Sequence, residues 1–258
     1  LQIDLRTGRT VAVASQLNLQ RRLGADVISR ITHAVRDGGL AELHTALMTT
    51  LQAICTTACG EAGITPAHLV EIVVTGNTVM LHALHRASME SLAALPFKPS
   101  FYEGRSANAS ALGMTFLDGV PVYSFPIIGG FVGGDTVGCM LAVDMDQSAE
   151  CAMVIDIGTN GEVALGCRDG WVATSAPAGP AFEGARISCG MPGAPGAIEH
   201  VRLNNSVTLD VIGQVAPVGI CGTGLIDAVA LLLDVGLIDE TGRLLPRDEL
   251  PATIPDWL

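Results

Sequence analysis

The sequence predicts an α/β protein in two parts, and three observations carry that prediction. Apolar segments of strand and helix period alternate along residues 1–147. A polar stretch, Asp144-Met-Asp-Gln-Ser-Ala-Glu150, then interrupts them. Beyond it the chain resumes with three short β-rich runs joined by Asn-Gly and Asp-Gly turns. The expected boundaries are 1–147 for the first part and 148–258 for the second.

Composition supports a well-filled interior and removes several functions. Of 258 residues, 49% are hydrophobic and 16% charged, enough to bury a sizeable core. Aromatics make up only 4%, so Val, Ile, Leu and Ala must do the packing. The net charge of -12 argues against nucleic acid and against an anionic membrane surface. Seven cysteines without framework spacing fit a reducing cytoplasm better than a disulfide scaffold. Cys55 and Cys59 share a helical face and read as core thiols. The N-terminus has no signal-peptide pattern. The most apolar run, Val120–Val132, is too short and too broken by prolines to span a bilayer.

Taken in order, residues 1–17 read as the end of one strand, a turn at Arg6–Arg9 and a second strand over Thr10–Ser15. Val27, Ile28, Ile31 and Val35 recur at helical spacing and predict a helix over Ala25–Val35, stopped by Gly38-Gly39. A second helix covers about Ala41–Cys59, with Leu43, Leu47, Leu51 and Ile54 on one face, ended by Gly60 to Gly63. Thr65-Pro66 is an N-cap with proline at the first helical position. Glu71–Thr75 is a buried strand that runs through Gly76-Asn77 into a helix carrying Met80 and His82. Such a junction often faces a ligand in α/β folds, while a lone histidine there more often serves the core. Residues 88–119 are irregular with a β-rich excursion, and Val120–Phe125 is a strand. A glycine-rich loop, Pro126–Gly134, then opens the helix Asp135–Val143. Asp135 either caps that helix or faces a nucleotide cleft.

In the second part, strands are expected over 152–157, 162–167 and 171–176. Met153–Ile157 and Val163–Leu165 flank a polar turn, Gly158-Thr-Asn-Gly161, and place Asp156 near the end of its strand. Gly158 and Gly161 leave room for a ligand beside the main chain, whose N–H groups favour anions. Thr159 and Asn160 can donate to phosphate oxygens, and Asp156 can hold Mg²⁺ through water. The alternative is an ordinary hairpin whose Asp caps its own turn. Next comes Ala178-Gly-Pro-Ala-Phe-Glu-Gly184, with Gly179 and a single acid, Glu183, in an apolar loop. Cys189 is either a redox thiol or a buried one. A hairpin over 197–212 turns at Asn204-Asn205. Gly222-Thr223-Gly224 then opens the helix Leu225–Leu233, either as an anion site or as a tight strand–helix turn.

Asp156-Ile-Gly-Thr resembles the second phosphate loop of the actin, sugar-kinase and chaperone-ATPase superfamily, ASKHA. More narrowly, Asp156-Ile-Gly-Thr-Asn-Gly-Glu162 is similar to the C-terminal ATPase region of the reductive activators of corrinoid proteins. Asn18–Ile31, Gly76–His82, Ala178–Ala185 and Gly219–Asp227 resemble the same family, in order along nearly the whole chain. Within the first of these, Asn18, Asp26 and Arg30 are second-tier candidates. The resemblance implies two ribonuclease-H-like lobes around a nucleotide cleft, truncated at both ends. The family's first Asp-x-Gly-Thr hairpin and its later adenosine motif are not in the sequence.

The resemblance also implies a function. Such proteins use ATP hydrolysis to drive an electron from an N-terminal [2Fe–2S] domain onto a cob(II)alamin protein, restoring cob(I)alamin for methyl transfer. ATP and Mg²⁺ are then the expected cofactors, a corrinoid protein the partner and a homodimer the assembly. Asp156 takes the Mg²⁺ through water. Gly158, Thr159, Asn160, Gly161, Gly179, Gly222, Thr223 and Gly224 contact the nucleotide, and Glu183 and Asp135 orient water. The sequence has no Cys-x₄-Cys-x₂-Cys run, so the cluster belongs to a segment outside it. Two other readings are a small-molecule kinase of the same fold and a non-catalytic docking module.

Overall fold

The structure, a computed structural model, describes residues 1–158, 160–177, 179, 187–203, 206–251 and 254. It is a mixed α/β chain of two compact units, Leu1–Asp156 with Glu162–Ser175, and Ile157–Gly161 with Ala176–Leu258.

The first unit opens with an antiparallel hairpin, β1 (Gln2–Asp4) and β2 (Arg9–Ala12). Asp4 Oδ1 fixes its turn by accepting from the Arg6 N–H at 2.9 Å. The second strand stops at Ala12, short of the expected Ser15, because among the described residues only β1 pairs with it. Helix α1 (Val27–Ala34) starts on a reciprocal cap: Asp26 Oδ1 accepts from Ser29 N at 2.7 Å, and Ser29 Oγ accepts from Asp26 N at 3.0 Å. Helix α2 (Gly39–Ala62) runs through Gly60 and ends at Gly63, whose φ of 66° supplies the left-handed stop. The sequence offered two glycines there, and the one that ends the helix is the one whose N–H reaches back to close the last turn.

Strand β3 (Ile72–Val74), helix α3 (Thr78–His85), strands β4 (Arg105–Asn108) and β5 (Pro121–Ser124), and helix α4 (Gly134–Ala142) follow. The sheet order is β3-β5-β4, with β3 parallel and β4 antiparallel to the central β5. The β-rich excursion expected in residues 88–119 is β4. Leu81, Leu84, Met114, Leu117 and Val122 fill one core, and Ile31, Leu43, Val79, Met89 and Leu92 a second under α1 and α2.

Strands β6 (Ala152–Ile157), β7 (Asn160–Cys167) and β8 (Gly170–Pro177) are consecutive neighbours. Their two-residue connections make them antiparallel. The first connection is 158–159, so Asn160-Gly161 opens β7 instead of forming the tip. Gly161 is not in the left-handed region that an Asn-Gly turn of the expected kind needs.

In the second unit, β9 (Ala197–Leu203) lies between antiparallel β10 (Val207–Val211) and parallel β11 (Gly219–Ile220). Helix α5 (Gly222–Asp234) packs along β9. The turn expected at Asn204-Asn205 lies outside the described residues.

Candidate functional site

Three carboxylates of the first unit, carried by three elements, act on one another through their charge. Asp156 is the fifth residue of β6, on the partly shielded side of a strand that alternates in exposure. Glu162 sits on β7, where its Oε1 accepts from the Ser175 hydroxyl of β8 at 3.0 Å. Asp135 lies in the first turn of α4, its Oδ1 accepting from the Thr136 N–H at 3.0 Å.

Burial holds the Asp135 carboxyl above the usual carboxylate range, and the charge of Asp156 raises it further. Burial likewise raises Glu162, against the Ser175 hydrogen bond, and both Asp156 and Asp135 add to the rise. Cys139, one turn beyond Asp135, is pushed up by burial and by the same two aspartates. Among the described residues none of the three carboxylates has an ion-pair partner. The result is an uncompensated negative field. Among the described residues no three His, Cys, Asp or Glu groups are placed to ligate a metal ion directly.

Asp135 does not cap α4; Gly133 stands at that position. The start of α4 is instead closed onto the β3–α3 junction. Gly134 N and Asp135 N both donate to Gly76 O, at 2.9 and 3.3 Å. A Cβ on Gly133 would stand 2.5 Å from Asn77 Cα. Asn77 itself caps α3 by accepting from Met80 N at 2.9 Å. His82 is fully buried: Nδ1 donates to Thr78 O at 2.8 Å, Nε2 accepts from Ser100 N at 3.0 Å, and the ring stacks on Phe101. Asn77 and His82 are therefore structural. So are the second-tier candidates: Asn18 and Asp26 cap helical turns, and Arg30 Nε donates to Gly24 O at 3.0 Å.

In the second unit the start of α5 is open. Its first internal bond runs from Leu225 N to Cys221 O at 2.9 Å. The N–H groups of Gly222, Thr223 and Gly224 have no acceptor among the described residues, and the helix has no side-chain cap. The Cys221 thiol turns back to donate to Ile198 O at 3.3 Å. Gly224 is obligatory, since a Cβ there would lie 2.3 Å from Ile198 O. Three free N–H groups at the positive end of a 13-residue helix fit an anion.

Gly158 N donates to Asn160 O at 3.0 Å across the hairpin tip. Neither Gly158 nor Gly161 has a positive φ, and an added Cβ would meet nothing nearer than 3.5 and 3.9 Å. The protein's own backbone therefore does not require glycine at either place. Gly179 does adopt the left-handed region, with φ 84°. Thr159 and Glu183 lie outside the described residues. Glu162 escaped the sequence reading. It is the third residue of β7, and no pattern along the chain singles it out.

Comparison with known proteins agrees with this α/β arrangement. Residues 150–254 match the family model described as the C-terminal domain of RACo, the ASKHA domain. Residues 2–148 match the model described as the RACo middle region. The chain belongs to the RACo family. It is 36% identical over 251 residues to the corrinoid activation enzyme RamQ of Eubacterium limosum, covering 96% of this chain and 42% of that protein. It is 35% identical over 155 residues to the [Co(II) methylated amine-specific corrinoid protein] reductase of Methanosarcina barkeri, covering 51% of this chain and 29% of that one. A solved structure of a reductive activator for corrinoid, iron-sulfur protein superposes with a TM-score of 0.83 at 34% identity, over 94% of this chain and 39% of that chain. The chain thus spans well under half the length of these relatives. Among the described residues no helix is long and apolar enough to cross a membrane.

Proposed function

We propose that this chain is the ATP-binding and ATP-hydrolysing part of a cytoplasmic reductive activator that returns a cob(II)alamin protein to cob(I)alamin for methyl transfer. The carboxylates of Asp135, Asp156 and Glu162 carry the reading, because Asp135 and Glu162 are raised by burial and by neighbouring carboxylates, and none of the three has an ion-pair partner among the described residues. Bound Mg²⁺ would neutralise charge building on the phosphates. Asp156 would orient the hydrated ion. Glu162, fixed by Ser175, and Asp135, fixed by Thr136, would accept hydrogen bonds from its waters. The open start of α5 would receive phosphate oxygens through Gly222, Thr223 and Gly224. This division of labour belongs to a two-lobed ASKHA protein, and the lobes, the homodimer and the corrinoid partner are parts of the same proposal.

A [2Fe–2S] cluster does not fit the described residues, which bring no three cysteines together.

The test is Asp156→Ala in the full-length protein. Loss of one charge that positions the metal should lower ATP turnover by about 10²-fold or more with the unfolding midpoint unchanged. Wild-type hydrolysis should rise when a cob(II)alamin protein and a low-potential reductant are added. Unchanged turnover in the variant would remove the site, and hydrolysis indifferent to the corrinoid protein would remove the activator.

A further inference from the structure

A second chemical feature lies at the other end of the β6–β7 hairpin, roughly 17 Å along the strand from Asp156 at ~3.3 Å per residue. Cys151 immediately precedes β6, and Cys167 is the last residue of β7. Because the strands are adjacent and antiparallel, these positions share one end of the sheet. The backbone is pinned there: Arg168 N donates to Ser148 O at 2.9 Å. The neighbouring Cys167 thiol is the largest cause raising the pKa of Cys151. Cys151 is exposed and Cys167 half-buried, both as free thiols. The remaining cysteines offer no equal. Cys59 is sealed in the core beside Cys55, and Cys139, Cys189 and Cys221 have no thiol contact among the described residues.

We propose that Cys151 and Cys167 form a dithiol site that exchanges with small disulfides and closes reversibly into a cross-strand disulfide. The exposed Cys151 loses its proton and attacks one sulfur of the oxidant. A mixed disulfide forms and the oxidant's S–S bond breaks, releasing one thiolate that takes up the proton. The neighbouring Cys167 then attacks the Cys151 sulfur, expelling the second thiolate, which takes the proton from Cys167. Two protein thiols are oxidised by two electrons and one small disulfide is reduced to two thiols. A thiol whose proton is held more tightly than usual makes the first attack slow at neutral pH and faster as the pH rises. The site stands apart from the nucleotide reading and does not depend on it.

The experiment incubates the folded full-length chain in mixtures of reduced and oxidised glutathione, quenches exchange with acid, and then denatures the chain and counts alkylated thiols by mass. Without oxidant, all seven cysteines of this chain should alkylate; with it, five. Cleavage after Glu150 and Glu162 should then recover Cys151–Glu162 joined to Val163–Glu183, separable by dithiothreitol. Closure should quicken from neutral to mildly alkaline pH. Cys151→Ser should abolish the linked pair without changing ATP turnover. Seven alkylated thiols throughout, a lasting glutathione adduct on Cys151 with Cys167 free, or a link to any other cysteine would overturn the proposal.

Discussion

The starts of α4 and α5 use nearly the same residues for opposite ends. One reads Gly133-Gly134-Asp135-Thr136 and the other Cys221-Gly222-Thr223-Gly224, each after a strand of its own unit. In α4 the N–H groups are consumed internally: two by Gly76 O and one by the Asp135 carboxylate. In α5 the corresponding three are free among the described residues. Glycine at the first site lets two backbones touch; at the second it does that and also leaves the helix end bare. A glycine-rich helix start is thus only a potential anion site, and what the preceding loop does with the N–H groups decides the matter.

Four measurements would break or sharpen this contrast. The largest effects should come from Gly133→Ala and Gly224→Ala, whose new methyl groups meet backbone at 2.5 and 2.3 Å. Each should cost about 3 kcal/mol in urea unfolding; an unshifted midpoint for Gly133→Ala would mean that α4 is not closed. Next, Thr223→Ala should weaken ATP binding about tenfold by calorimetry, the loss of one charge-assisted hydrogen bond. Equal binding would take the Thr223 hydroxyl out of the site.

The third concerns the carboxylates. Asp135 and Glu162 have raised pKa values, so the folded state holds more protons than the unfolded one just above the ordinary carboxylate range. Stability from this source therefore falls as pH rises through that window, and a cation should return it. Mg²⁺ should raise the melting temperature by about 3 °C at neutral pH and by nothing once the carboxyls are protonated. The same shift at both pH values would exclude these groups. The smallest effect is expected for Thr136→Val. Its buried hydroxyl has no partner among the described residues, so removing it should change stability by under about 1 kcal/mol and leave ATP binding alone.

Much of the fold was legible in the sequence because the strands and helices have clear periods, the strand around Asp156 among them. The caps at Asp26 and Asn77 were not read as caps, although each needs only a residue three positions on. The length of α2 was not legible, since either Gly60 or Gly63 can end a helix and only the backbone conformation chooses. The hairpin tip was misplaced by about two residues because Asn160-Gly161 imitates a turn while pairing as strand. Glu162 was missed for a different reason. Its importance lies in its distance from Asp135, 27 positions away, and no pattern along the chain records that. The same holds for the closed start of α4, which depends on the carbonyl of Gly76.

Two buried histidines and a half-buried one set a limit on the acid side. His44, His82 and His85, half of the six in the chain, all have pKa values lowered chiefly by burial. For His82 a second proton would point a donor at the Ser100 N–H, where an acceptor is needed. The unfolded chain takes up these protons near pH 6.5 and the folded one only below that. Stability is therefore full above that value and drains away as the pH falls beneath it. The first unit should lose part of its stability as the solution turns mildly acidic, with the seam between α3 and the segment at Ser100 as the place most affected.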